Sequence, residues 1–410
     1  MIPALRGAVV TIVAVLISFG VMYAICTGAG AGASPAILAA ALAVGLARRP
    51  ERLEPHTSLL KGIALPLVAL AAGAVGLTFR AFPPLGAALF CAGISLSVWL
   101  RAFGERGNIV GRIIALPFLA MLIVPVRVET ARGPGSTAVL VIIAGVVAFA
   151  CSAAVQRLAG GASAMPAERA RKSTVAGRMA AQMLVALALA FTVGMLAFPV
   201  HWPWVVLTAF IVCSGAAGRG DAVYKAILRV AGAIGGTLVA ALLARVALPG
   251  GAASAALIFI VLFLGLWLRQ LNYAYWAACA TLIFALLQGS HGLPALPLFA
   301  LRIACIVIGA LCGIAATWFV YPIRTEHVVR RRVANALAAM QAVLRGGNVH
   351  DLAHHIAQLD RIAPSAPKHR ALLRETRALL TYVTAGGDRK HAGAELRRLG
   401  ALLKEVPTRK

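Results

Sequence analysis

Apolar residues run through this chain in repeated blocks of about 17–25, the length a helix needs to cross a bilayer, with short polar or basic stretches between them. Six blocks fall in the first half, at 5–25, 34–47, 62–79, 84–100, 111–126 and 136–155. Six more follow at 177–198, 202–215, 224–246, 255–268, 273–287 and 298–321. The pattern predicts an all-α polytopic membrane protein with about 12 transmembrane helices. The second and eighth blocks are short, as expected of tilted or partly re-entrant segments. The first block follows Arg6 and precedes the small-residue stretch 28–33, an arrangement that mimics a signal peptide. Its apolar run is longer than a signal core and has a counterpart in the second half, so a true span is expected.

After Tyr321-Pro322 the pattern changes. Apolar positions then recur at helical spacing, as in Leu337, Met340 and Leu344, or Leu352, Ile356 and Leu359. Gly346-Gly347, Pro364 with Pro367, and Gly386-Gly387 divide the region into about four helices. The predicted organisation is a first six-span repeat at 1–158, a cytoplasmic linker at 159–176, a second six-span repeat at 177–323 and a C-terminal cytoplasmic helical domain at 324–410.

Composition strengthens the membrane reading. Of 410 residues, 61% are hydrophobic and 13% charged, against about a quarter charged in a typical soluble protein. The net charge is +26, but the basic residues sit between apolar blocks instead of clustering on a soluble face, which argues against a nucleic-acid partner. They read better as topology signals. With the N-terminus inside, the inner loops hold fifteen Lys and Arg and the outer loops only Arg80, Arg127, Arg132 and Arg245. Both termini are therefore expected in the cytoplasm. The tail holds 17 basic and 7 acidic residues, and its Arg330-Arg331-Arg332 run suits anionic lipid headgroups.

The halves resemble each other at an offset near 168. Trp99-Leu100-Arg101 returns as Trp267-Leu268-Arg269, Pro35 as Pro203 and Gly145 as Gly313, while Lys61 and Lys225 match at offset 164. Six spans return the chain to the same side, so the repeats are expected to be parallel, with a substrate path between them.

The seven cysteines lie in apolar blocks or at their edges with no paired spacing, so neither disulfides nor a metal site is expected from them. His350 and His354 are four apart on a tail helix near Asp351 and His355, but a further convincing ligand is missing. No metal or cofactor is read from the sequence. There is no nucleotide-binding loop, dinucleotide fingerprint or nucleophile elbow, so neither an enzyme nor an ATP-driven pump is expected.

One stretch carries a specific resemblance. His201-Trp202-Pro203-Trp204 and Leu207-Thr208-Ala209-Phe210 lead into the polar turn 215–221 and then into Arg229-Val230-Ala231-Gly232-Ala233-Ile234-Gly235-Gly236. Arg302 through Gly309 and Gly313, with Tyr321-Pro322, closes the region. This resembles the fusaric acid resistance and aromatic acid exporter family, most clearly over 178–325 and more weakly over 1–160. Ala233 departs from the Thr often found there, and only the linker 159–176 stands where long members carry a large cytoplasmic insertion. The resemblance implies an inner-membrane permease exporting aromatic carboxylic acids or related toxic organic anions, and in Gram-negative members often a separate periplasmic adaptor subunit. The plant aluminium-activated malate channels look like distant relatives, which fits anion passage. Membrane lipid is a further partner, and a homo-oligomer is allowed but not required.

Arg229 and Arg302 are the main candidates for substrate binding. Each is expected about five residues, or roughly 7 Å, inside its span. A guanidinium is costly in hydrocarbon, and its planar donor fork suits a carboxylate. Snorkelling to the interface is the competing reading. Trp202, Trp204 and Tyr275 are candidates for stacking on an aromatic acid, or members of an interfacial belt. Gly232, Gly235, Gly236, Gly309 and Gly313 are expected to let helices approach closely. Asp221, with Arg219, is a candidate inner gate or a loop ion pair, and His201 a titrating outer residue or a structural one. The leading expectation is a secondary exporter of organic anions. A gated anion channel and a scaffold acting through its basic tail are the alternatives.

Overall fold

A computed structural model describes residues 2–47, 55–123, 134–159, 174–216, 218–243, 252–289, 295–322, 325–346 and 350–405. Most of the expected linker at 159–176 lies outside them, as do several loop arginines counted above. The first half forms α1 (Ile2–Gly28), α2 (Ser34–Ala47), α3 (Pro55–Ala81), α4 (Pro83–Trp99), α5 (Gly104–Ile123) and α6 (Pro134–Leu158). The second forms α7 (Thr174–Ala197), α8 (Trp202–Cys213), α9 (Arg219–Leu243), α10 (Ala252–Leu268), α11 (Tyr273–Gly289) and α12 (Ala295–Phe319). The tail forms α13 (Thr325–Leu344), α14 (His350–Ile362), α15 (Arg370–Thr384) and α16 (Arg389–Glu405). No strand occurs among the described residues.

Among the described residues, six helices are long and apolar enough to cross a membrane, lying in α1, α4, α6, α7, α9 and α12. The other six apolar stretches are 10–17 residues long. At 1.5 Å per residue the 12-residue α8 covers about 18 Å, well short of a hydrocarbon core of about 30 Å. The 14-residue α2 is similarly short, and it holds the corresponding place in the first half. Outward faces are apolar: Leu5, Val9, Leu16 and Ile17 on α1, and Leu238 and Leu242 on α9, are all exposed. Helices that are apolar where they are exposed need lipid as their solvent.

The chain divides into two compact units, one of residues 1–211 with 228–313, the other of 212–227 with 314–410. In the first unit α1 packs on α2 and α6, and α3 packs on α4, α5 and α6. Between the halves, α7 packs on α4 and α10 packs on α1. Aromatic pairs mark both contacts, Phe90 with Phe191 at 5.5 Å and Phe19 with Phe259 at 5.3 Å.

In the second unit α13 to α16 enclose their own core, with Val333, Leu337 and Met340 facing Leu352, Leu359, Leu373, Leu380 and Leu399. These helices have one apolar face each, as helices in water do. The α8–α9 turn belongs to this unit. Gly215 takes φ +64, the left-handed conformation that ends a helix, just after α8. Arg219 then donates to the Trp318 carbonyl oxygen at 2.7 Å and lies 5.5 Å over the Trp318 ring. The Gly220 amide donates to Thr325 Oγ1 at 3.1 Å, which ties the start of α9 to the start of α13.

Candidate functional site

Arg302 is 4% exposed. Its guanidinium lies 4.4 Å from the centre of the Trp204 ring and 5.9 Å from that of Phe284. Trp204 and Phe284 meet edge to face at 4.6 Å. Arg302 Nη1 donates to the Thr281 carbonyl oxygen at 3.2 Å. Thr281 and Phe284 are three apart on α11, so one helix face supplies both contacts. Trp204 stands in the first turn of α8, so an aromatic box and the positive end of a short helix meet at this cation.

Arg229 is 2% exposed. Its Nε is buried and has no hydrogen-bond partner among the described residues. Its charge acts on Arg302, so the two guanidiniums repel each other inside the first unit. Arg302 also acts on His201; burial first, and that charge second, hold the His201 imidazole below its ordinary range. Asp221 is the only acidic residue between 174 and 322, and it pairs with Lys225 at 3.0 Å. Two buried arginines thus stand in a half whose single acidic residue lies at the α8–α9 turn. Such an arrangement is costly alone and favourable around an anion.

Both helices begin before the spans expected for them, so the arginines sit farther from the helix starts than from the expected span ends. The expected distance was about five residues, but Arg229 is ten residues into α9 and Arg302 seven into α12. At 1.5 Å per residue these are about 15 and 10 Å. The reason is local. The polar turn at 219–223 folds into α9, with Asp221 in a first turn where the helix dipole favours an acid. Pro297 sits in the first turn of α12, where proline needs no hydrogen-bond partner.

Close helix crossings hold the group in place. A Cβ on Gly232 would come 2.4 Å from the Ala274 carbonyl oxygen, and one on Gly236 2.3 Å from that of Ala278. Gly309 meets the Val205 carbonyl oxygen at 2.3 Å in the same sense. These contacts press α9 on α11, and α12 on α8. Gly235 has open space where a Cβ would stand, and Gly313 is buried in α12.

The remaining candidates are placed elsewhere. Trp202 stacks on Phe79 at 5.1 Å and lies 5.2 Å from Phe191, within an aromatic packing cluster. Tyr275 is half exposed, outside the Arg302 group. Arg219 and Asp221 are engaged at the α8–α9 turn, with Trp318 and Lys225 respectively. Sequence reasoning missed Thr281 and Phe284, because a backbone carbonyl and a phenylalanine in an apolar helix carry no mark. It gave no site role to Thr208, a fully buried threonine one turn beyond Trp204 whose hydroxyl has no partner among the described residues. Among the described residues no three potential metal ligands cluster.

Long apolar helices with apolar outer faces define a multi-pass membrane protein, with two arginines in its interior. Residues 173–316, which include every residue of the Arg229–Arg302 group, match the family described as fusaric acid resistance protein-like, a family of membrane transporters. No curated protein and no solved structure gives a match.

Proposed function

We propose that this chain is an inner-membrane secondary transporter that exports aromatic carboxylates or related organic anions, with both termini in the cytoplasm. The observation that carries the reading is the pair of buried arginines, Arg302 on the Trp204 ring and Arg229 with an unpartnered Nε, in a half with a single acidic residue. A carboxylate between them would relieve the repulsion, and bidentate bonding favours guanidinium over ammonium. The Trp204 and Phe284 rings offer faces and edges to an aromatic body.

The architecture supports the same reading. Helices α2 and α8 are short at corresponding places in two halves, a pattern that marks substrate sites in transporters built from repeats. The packing repeats as well. The contact of α1 with α10 becomes that of α7 with α4 when the halves are exchanged. We read the halves as parallel repeats of six spans. At an offset of 168, Trp204 and Phe284 correspond to Ala36 and Leu116, and at 164 Arg229 corresponds to the fully buried Leu65. The first half therefore lacks the polar group, and the site belongs to the second.

The test is efflux of a radiolabelled aromatic acid from preloaded cells expressing wild type, Arg229→Ala or Arg302→Ala at matched levels. Slowed efflux in both variants supports the site. Wild-type rates in both would leave the arginines as structural anchors and remove the basis for the proposal.

A further inference from the structure

The tail carries a second cluster of arginines, on α15. Arg370, Arg374 and Arg377 fall on one face of α15, spaced four and three residues apart. They line a cleft of about 300 Å³, at the lower end of the range that holds small organic ligands. Its floor is apolar, made by Leu359, Ala363, Pro364 and Leu373. Leu359 and Leu373 belong to the core of the bundle, so the floor is fixed by packing.

The charges in the cleft do not cancel. Asp360 pairs with Arg377 at 2.8 Å. Arg370 and Arg374 have no ion-pair partner among the described residues, which leaves two positive charges facing the cleft. Arg370 opens α15, whose first turn contains no acidic residue and whose preceding His369 provides no side-chain cap. The positive end of the helix adds to the same field. A greasy floor beneath two unbalanced guanidiniums matches a small molecule with an apolar body and one carboxylate. Inorganic anions would use the charges but not the floor, and a lipid headgroup would bring its phosphate to the rim while its chains remained elsewhere.

The site also adjoins the start of α9. Pro364 in the cleft floor precedes Ser365, and a Cβ on Gly220 would come 2.6 Å from the Ser365 carbonyl oxygen. The cleft thus lies one residue from a close backbone approach to the α8–α9 turn. We infer that the α14–α15 cleft is a binding site for a small organic carboxylate, through which the tail senses such an anion. This does not depend on the transport reading.

Hydrogen exchange of the full chain in phosphatidylcholine nanodiscs tests the inference, with benzoate as the probe. Benzoate at millimolar levels should slow exchange across 359–377 saturably in wild type, and equally in Arg302→Ala, which isolates the tail from the membrane site. Arg370→Gln with Arg374→Gln should raise the half-saturating concentration about tenfold or more. Ala363→Leu, which keeps the charges and fills the floor, should weaken benzoate as well. Three outcomes would overturn the inference: no protection in wild type, protection unchanged by the arginine pair, or equal protection by inorganic phosphate. Protection that arises in phosphatidylglycerol nanodiscs without benzoate, and not with benzoate in neutral ones, would assign the arginines to lipid and equally overturn it.

Discussion

Arg302 and Arg229 are both buried, yet their surroundings differ. Arg302 has an aromatic face and a carbonyl oxygen, whereas Arg229 Nε has no partner among the described residues. Lysine at either position keeps the charge and loses the fork. Alanine loses both, and removing a charge-assisted bond weakens anion binding by about 1.5–3 kcal/mol, roughly ten- to 150-fold. Efflux should therefore fall in the order Arg, Lys, Ala at each position. Lysine should be tolerated better at 229, where no ring contact among the described residues is lost; equal loss at both positions would argue against that difference. His201 gives a second prediction. Burial and the Arg302 charge make the folded imidazole hold its proton less tightly than the unfolded one. Between that depressed value and the ordinary 6.5, the unfolded state binds more protons, so stability falls as pH drops through the window. Thermal unfolding of detergent-purified protein should show this slope, and His201→Gln should flatten it. An unchanged slope in the variant would place the titration elsewhere.

At the scale of helices, the three glycine crossings are stiff because the opposing atoms are backbone carbonyls, which cannot swing aside like a side-chain tip. Gly232→Ala, Gly236→Ala and Gly309→Ala should each destabilise by about 1–3 kcal/mol as overpacked contacts. Gly235→Ala, with open space before it, should leave thermal stability near wild type or raise it slightly, since alanine favours helix. Melting temperatures of the four variants test the contrast, and a loss at Gly235 matching the others would contradict it. The same residues show how much was legible beforehand. Block length and hydropathy located the apolar helices among the described residues, six of them long enough to cross a membrane, because lipid demands an apolar surface whatever the neighbours are. Gly232, Gly235 and Gly236 looked alike in sequence; only the position of α11 separates them. Trp202 and Trp204 were likewise two residues apart and indistinguishable, but one is locked among Phe79 and Phe191 while the other meets Arg302. Helix ends were the least legible, since the start of α9 depends on a turn held by Trp318 and Thr325 about a hundred residues away.

For the whole molecule, parallel and inverted repeats make opposite demands on equivalent loops. Trp99-Leu100-Arg101 and Trp267-Leu268-Arg269 end the fourth helix of each half, at α4 and α10. If the halves are parallel, the residues just after these triplets lie on one side of the membrane. If they are inverted, they lie on opposite sides. The inner set of basic loop residues further places that side in the cytoplasm. Glu105→Cys and Gln270→Cys, each in a background lacking the seven native cysteines, read both points with one impermeant thiol reagent. We expect neither to react in intact cells and both to react after permeabilisation. Reaction of one without the other in intact cells would make the halves inverted and undo the pairing of α1–α10 with α7–α4 as a symmetry. Reaction of both would keep the parallel repeat and reverse the orientation. Arg229, ten residues from the start of α9, would then be reached first from outside, and the expected direction of transport would have to be reconsidered.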